Sequence, residues 1–274
     1  MPIIYIFYLL LTGIGVGLVS GMLGVGGCFI MVPVQFFILK AIGTDPTIAI
    51  RVAFGTNLLV VFFTALSGAF RHHKKGAVLW KQAIILGLTS AIFTFLGAYV
   101  ASNLPGKVLK TIFGLAILLS ALRMATAHPI RVEGEPHGNP ITYILLGGIF
   151  GFVTGLIGIG GGVLMVPLMV IFLNYHMHEA VATSTAIMIF TGLGGAIAYM
   201  FYGLNVSGLP RYSIGYVNLL QWILLAGTSV PMAQIGAHIS HKIHPKSLKW
   251  LFIAVMVYMG LKMIGVFSWM RLPL

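Results

Sequence analysis

The sequence predicts an all-α polytopic membrane protein made of two copies of one helical unit, and three observations predict it. Hydrophobic residues make up 59% of the chain and charged residues only 7%, with a mean hydropathy of +1.04. A soluble domain carries roughly a quarter charged residues, so too few charges are present to cover a water-facing surface. The apolar runs are also long and continuous, without the period-two alternation of a membrane barrel. Finally, a glycine-rich stretch near the N-terminus returns in the second half of the chain.

The apolar segments follow in the same order in each half. In the first they run over residues 3–22, 28–39, 50–70, 82–101 and 108–126, and in the second over 141–157, 162–173, 180–202, 217–237 and 247–267. A span needs about 20 apolar residues, so eight to ten transmembrane segments are expected. The segment from Pro2 onward has no basic leader or small-residue cleavage site and reads as the first span. The second segment of each half is too short for a straight span, and the first two together are too long for one. They fit a hairpin of two short helices, or one span plus a re-entrant piece.

Residues 13–33 and 147–167 match at ten of 21 positions with an offset of 134, and seven of the matches are Gly or Pro. Lys107-Val-Leu-Lys-Thr-Ile-Phe113 aligns with Lys246-Ser-Leu-Lys-Trp-Leu-Phe252, and Val52-Ala-Phe-Gly-Thr56 with Val181-Ala-Thr-Ser-Thr185. Residues 1–127 therefore read as a first transmembrane repeat, 128–140 as a polar linker, and 141–274 as a second repeat. Internal duplication of this kind marks secondary transporter folds.

Repeat orientation follows from the number of crossings: five per half invert the second copy and four leave it parallel. The 16 basic residues divide nine to seven either way, so totals do not decide. Five crossings do put the two most basic loops, Arg71–Lys75 and His238–Lys246, on one side. That favours an inverted repeat with the basic side cytoplasmic, in a multi-pass protein of the plasma (inner) membrane.

The charge balance is 16 Lys plus Arg against four Asp plus Glu, a formal net charge of +12. In a soluble protein this suggests nucleic acid. Here the basic residues are scattered between apolar runs, where they anchor helix ends, so no nucleic-acid partner is expected. The acids are Asp45, Glu133, Glu135 and Glu179, and none sits in mid-span, where ion-coupled carriers often place carboxylates. There is no Ser–His–acid set, no paired carboxylate and no cysteine cluster, so the chain is not expected to be an enzyme. His176 and His178 lack acid or cysteine support for a metal. No cofactor and no metal are expected.

Gly24-Val-Gly-Gly27 and Gly158-Ile-Gly-Gly-Gly162 sit between the paired short segments and are followed by Pro33 and Pro167. Glycine costs roughly 1 kcal/mol per residue in a helix against alanine, so the helix breaks at both places. Freed backbone groups cannot face lipid and must face protein or a polar cavity. Two equivalent breaks meeting inside the membrane would line a substrate site, and the N–H groups starting the next helix favour an anion. Close helix packing accounts for membrane glycines as well, and that reading stays open.

The paired elements Gly21-Met-Leu-Gly-Val-Gly-Gly-Cys-Phe-Ile-Met-Val-Pro33 and Gly155-Leu-Ile-Gly-Ile-Gly-Gly-Gly-Val-Leu-Met-Val-Pro167, with Glu179-Ala-Val-Ala-Thr-Ser-Thr185, resemble the TauE/SafE group, also called the toluene sulfonate uptake permease family. The resemblance spans the chain. It implies a permease or exporter for a small sulfur-containing anion such as sulfite, sulfoacetate or another sulfonate, working by alternating access. The copies differ at Cys28 against Gly162 and at Arg51 against Ala180.

The candidate solute-binding residues are Gly24, Gly26, Gly27, Cys28, Gly158, Gly160, Gly161 and Gly162 at the breaks. To these are added Gln35, Arg51, the matched polar pairs Thr56–Asn57 and Ser184–Thr185, and Gln234. A guanidinium at Arg51 could hold a sulfonate in bidentate fashion, though an interfacial anchor is an equal reading. His238, near the end of its span, reads as interfacial, and the sole cysteine reads as a small packing residue. The expected partners are the lipid bilayer and a small anionic sulfur-containing solute, and a homo-oligomer is compatible with the sequence. Two rival functions remain: a cation or metal transporter or channel, and a non-transporting membrane subunit.

Overall fold

Each apolar run becomes a helix because, away from water, only intrahelical bonds can satisfy its backbone. The computed structural model describes residues 2–23, 27–126, 139–239 and 245–266. Gly24, Gly26, the His238 side chain and all but two residues of the expected 128–140 linker lie outside the described residues. The helices are α1 (Ile3–Leu23), α2 (Cys28–Ala41), α3 (Pro46–Lys74), α4 (Trp80–Asn103), α5 (Gly106–Thr126), α6 (Pro140–Ile157), α7 (Gly162–Phe172), α8 (Met177–Gly203), α9 (Leu219–Ile239) and α10 (Pro245–Ile264). By length and composition, α3, α4, α5, α6 and α8 can each cross a membrane.

One element was not expected. Between α8 and α9, β1 (Ser213–Ile214) and β2 (Val217–Asn218) form a two-residue antiparallel ladder. Gly215 makes its turn at φ +54 and Tyr212 enters it at φ +67.

Two of the four acids are helix caps. The Asp45 carboxylate accepts from the Thr47 and Ile48 amides at 2.8 and 3.2 Å and starts α3, with Pro46 at the first helical position. Glu179 accepts from the His176 amide at 3.3 Å while the His176 side chain caps the same helix, α8.

Small residues let helices approach closely and also reveal their directions. On α6, Gly147, Gly151 and Gly155 lie against Leu86, Ser90 and Thr94 of α4, and the Ser90 and Thr94 hydroxyls donate to the Gly147 and Gly151 carbonyls at 2.9 and 3.1 Å. Residue numbers rise together, so α4 and α6 are parallel. The same holds for α1 and α9, where Gly13 meets Leu225 and Thr228, and Gly17 meets Ser229 and Met232. In contrast α3 and α8 run oppositely, pairing Gly55 with Tyr199, Leu58 with Gly195, Phe62 with Gly192 and Gly68 with Thr185. Helices α5 and α10 are likewise opposed, through Gly114 with Ile264 and Leu118 with Gly260.

Two ends of the bundle are thereby defined. Near the start of α3 lie the ends of α2, α4 and α8 and the β hairpin, and near the end of α3 lie the starts of α4, α6 and α8. The hairpin α1–α2 enters from the first end and α6–α7 from the second. The outer faces of α4, α5 and α6 are stripes of exposed Ile, Leu and Val, such as Ile84, Leu88, Ile92 and Leu96, spaced by four on one helix face and suited to lipid.

Candidate solute-binding cavity

A cavity of about 150 Å³ opens among α1, α2, α3, α8 and α9. The face of α3 bearing Asn57, Val60, Val61, Thr64, Gly68 and Arg71 runs along it at helical spacing. Gly27 and Cys28, at the start of α2, form its inner part together with Asn57. Arg71 and His72, at the far end of α3, stand at its mouth, and Thr185 of α8 and Ser229 and Gln234 of α9 complete its polar wall.

The hydrogen bonds sort these groups. Gln234 Nε2 donates to Ser67 Oγ at 2.6 Å, joining α9 to α3 across the cavity. Thr64 and Thr185 donate to carbonyls of their own helices, at 3.0 and 3.1 Å for Thr64 and 2.7 Å for Thr185. Asn57 Nδ2 donates to the Gly158 carbonyl at 2.7 Å, tying α3 to the second glycine break. Asn57 Oδ1 and Ser229 Oγ are buried and have no hydrogen-bond partner. An orphaned buried polar atom costs about 1–3 kcal/mol, which a bound solute or water at these positions would relieve. Among the described residues no Asp or Glu lines the cavity, whereas Arg71 does, and the positive end of the α2 dipole is there at Gly27 and Cys28. The local field therefore favours an anion.

The two breaks differ. The first contributes Gly27 and Cys28 to the cavity. The second is packed shut. Gly158, Gly160 and Gly161 all have positive φ, at +62, +73 and +105, a backbone region open to glycine. A side chain at each would meet Phe54, Val61 and Phe150 respectively. The Gly158 and Gly160 carbonyls accept from Asn57 and, at 3.2 Å, from Thr191. Gly162 begins α7 and is buried, and it does not line the cavity.

Of the residues expected to bind solute, Gly27, Cys28, Asn57, Thr185 and Gln234 thus come together. Ser184 is buried beside them and bonds the Val181 carbonyl at 3.0 Å. Thr56 accepts from the Asn218 amide at 2.9 Å and faces the β hairpin. Arg51 lies toward the other end of the bundle. It donates to the Tyr216 hydroxyl and the Leu104 carbonyl, both at 3.0 Å, and its guanidinium is 5.6 Å from the Tyr216 ring centroid. Gln35 is buried in mid-α2, away from the cavity lining.

Sequence reading missed Arg71, His72, Ser67 and Ser229. Arg71 and His72 fall in the cluster read as a topology anchor, although Arg71 continues the stripe that starts at Asn57.

Comparison with known proteins places these features. Residues 9–263 match the family described as Sulfite exporter TauE/SafE. A probable membrane transporter protein of Methanocaldococcus jannaschii is 32% identical over 257 residues, covering 93% of this chain and 94% of its own. A probable membrane transporter protein of Bacillus subtilis is 29% identical over 280 residues, covering 95% and 98%. Another of Haemophilus influenzae is 24% identical over 259 residues, covering 94% and 98%. No solved structure matches significantly.

Proposed function

The chain belongs to the sulfite exporter TauE/SafE family and is a membrane transporter, and from that premise we propose that it moves a small sulfur-containing anion, such as sulfite or sulfoacetate, by alternating access through the cavity around Gly27, Asn57 and Arg71. The single observation that carries the anion reading is the cavity's charge: Arg71 at the end of α3, a helix N-terminus inside, and no acid among the described lining residues. Ser229 and the amide of Gln234 add neutral polar groups of the kind that recognise sulfonate oxygens.

Alternating access is supported by the paired hairpins. Helices α3 and α8, equivalent in the two halves, run oppositely, as do α5 and α10. Helix α1 runs with α9, and α6 with α4. This supports reading 141–274 as an inverted copy of 1–127. One hairpin opens on the cavity while its counterpart is packed, and exchange of these two arrangements is alternating access in a duplicated transporter. On the positive-inside reading, the mouth at Arg71 faces the cytoplasm across the plasma membrane.

Flux of labelled sulfite and sulfoacetate into proteoliposomes tests the proposal. Arg71→Ala removes a charge-assisted contact of about 1.5–3 kcal/mol, so sulfoacetate transport at low concentration should fall roughly 10- to 100-fold. Transport of a cation with no movement of any sulfur anion would overturn the reading.

A further inference from the structure

A second cavity, of about 140 Å³, lies at the opposite end of the bundle between the end of α2, the β hairpin and the start of α9. Its polar lining is Arg211, Tyr212, Asn218 and Gln221, with no acid among the described residues that line it. The loop is firmly held there. Asn218 Nδ2 donates to the Arg211 carbonyl and to Ser213 Oγ at 2.9 and 3.0 Å, and Asn218 Oδ1 accepts from the Gln221 amide at 2.9 Å, capping the 21-residue α9. Gln221 is 1% exposed, yet neither atom of its side-chain amide has a partner. A buried amide left so, in a cavity that Arg211 also lines and at the positive end of a long helix, suits an oxyanion that can take up its N–H groups.

The two cavities line up along one face of α2. Cys28 and Met31 line the first and Leu39 and Ile42 the second. Gln35 falls on the same stripe at helical spacing, fully buried, with both amide atoms unpartnered. Helix α9 repeats the pattern, with Gln221 in the second cavity, Ser229 in the first and buried Leu225 between. Met31, Val60 and Leu225 pack in one apolar cluster. From Met31 to Leu39 is eight residues, about 12 Å of helix, so the barrier is thin and has one polar side chain at its centre.

We propose that the Arg211–Asn218–Gln221 cavity is a second binding station for the transported oxyanion, on the opposite membrane face, with Gln35 as the polar step through the barrier between the two. This rests on the transport reading above.

The test is equilibrium binding of radiolabelled sulfoacetate to the full chain in phosphatidylcholine nanodiscs. Two anions per chain are expected. Arg211→Glu, at an exposed position, and Gln221→Leu should each weaken one of the two sites at least tenfold. Binding retained at the other site reports that the variants are folded, and Arg71→Ala should remove that other site. One anion per chain, lost in Arg71→Ala and untouched by Arg211→Glu and Gln221→Leu, would overturn the second station and leave the transport reading standing. No bound anion at all would remove both. A repeat in phosphatidylglycerol discs separates solute from lipid. If that headgroup excludes sulfoacetate from the Arg211 site alone, the site belongs to lipid and the station is refuted.

Discussion

Asn57 couples the two glycine breaks, because it lines the cavity beside Gly27 and also donates to the Gly158 carbonyl at 2.7 Å. Replacing it with Leu strands that carbonyl, and thermal unfolding in detergent should show a loss of about 1–3 kcal/mol. Asn57→Asp keeps the size but removes the donor and puts a carboxylate in the cavity proposed to hold the anion. Anion flux should vanish in proteoliposomes above the carboxylate's pKa, and unchanged flux there would contradict the proposed solute position. Position 57 was legible as a polar residue matched in placement by Ser184 and Thr185. Its bond to Gly158 was not, because the partners are 101 residues apart. Arg51 shows the converse: charge and place suggested an anion ligand, but it is held by Tyr216, in the hairpin that folds back over α3, and by the Leu104 carbonyl at the end of α4.

At the scale of the element, glycines fall into two physical classes. Gly151 sits where a methyl would collide with the Ser90 backbone of α4, so Gly151→Ala should separate α4 from α6 and cost about 1–3 kcal/mol. Gly15 on α1 has nothing within 4 Å of its missing side chain. There Gly15→Ala should be neutral or stabilise by up to about 1 kcal/mol through helix propensity. Comparing the two melting temperatures in one detergent checks both. At the break, Gly161→Ala combines φ +105 with overlap against Phe150 and should be more damaging than Gly151→Ala. The glycine spacing in the sequence was enough to locate the breaks. It could not separate a break that lines a cavity from one that is packed, since the two copies are nearly identical in composition and differ in what lies against them.

For the whole molecule, the cavity lining runs along α3 from Asn57 to Arg71 and His72, and the opening is expected at the end of the bundle that bears those two residues. A cysteine at Ala233, in a Cys28→Ala background, should react with a membrane-impermeant maleimide from that face and not from the other, and excess methanesulfonate should slow the reaction. Equal labelling from both faces would rule out the one-sided opening. Charge counting could not orient the halves because the basic residues divide almost evenly. Helix directions do bear on it, since the glycine contacts record which residues rise together.

The sequence by itself determined that this chain lives in lipid, that its helices are interrupted at two glycine runs, and which family it resembles. Those properties are local or additive: hydropathy sums along a segment, and a glycine run weakens a helix wherever it occurs. Only the tertiary structure decided that Arg71 rather than Arg51 stands at the cavity, that Asn57 bonds the second break, and that Gln35 and Gln221 are buried without partners. Each of those depends on which helix lies opposite, and helix pairs such as α3 with α8 or α1 with α9 are joined by packing between residues far apart in the chain.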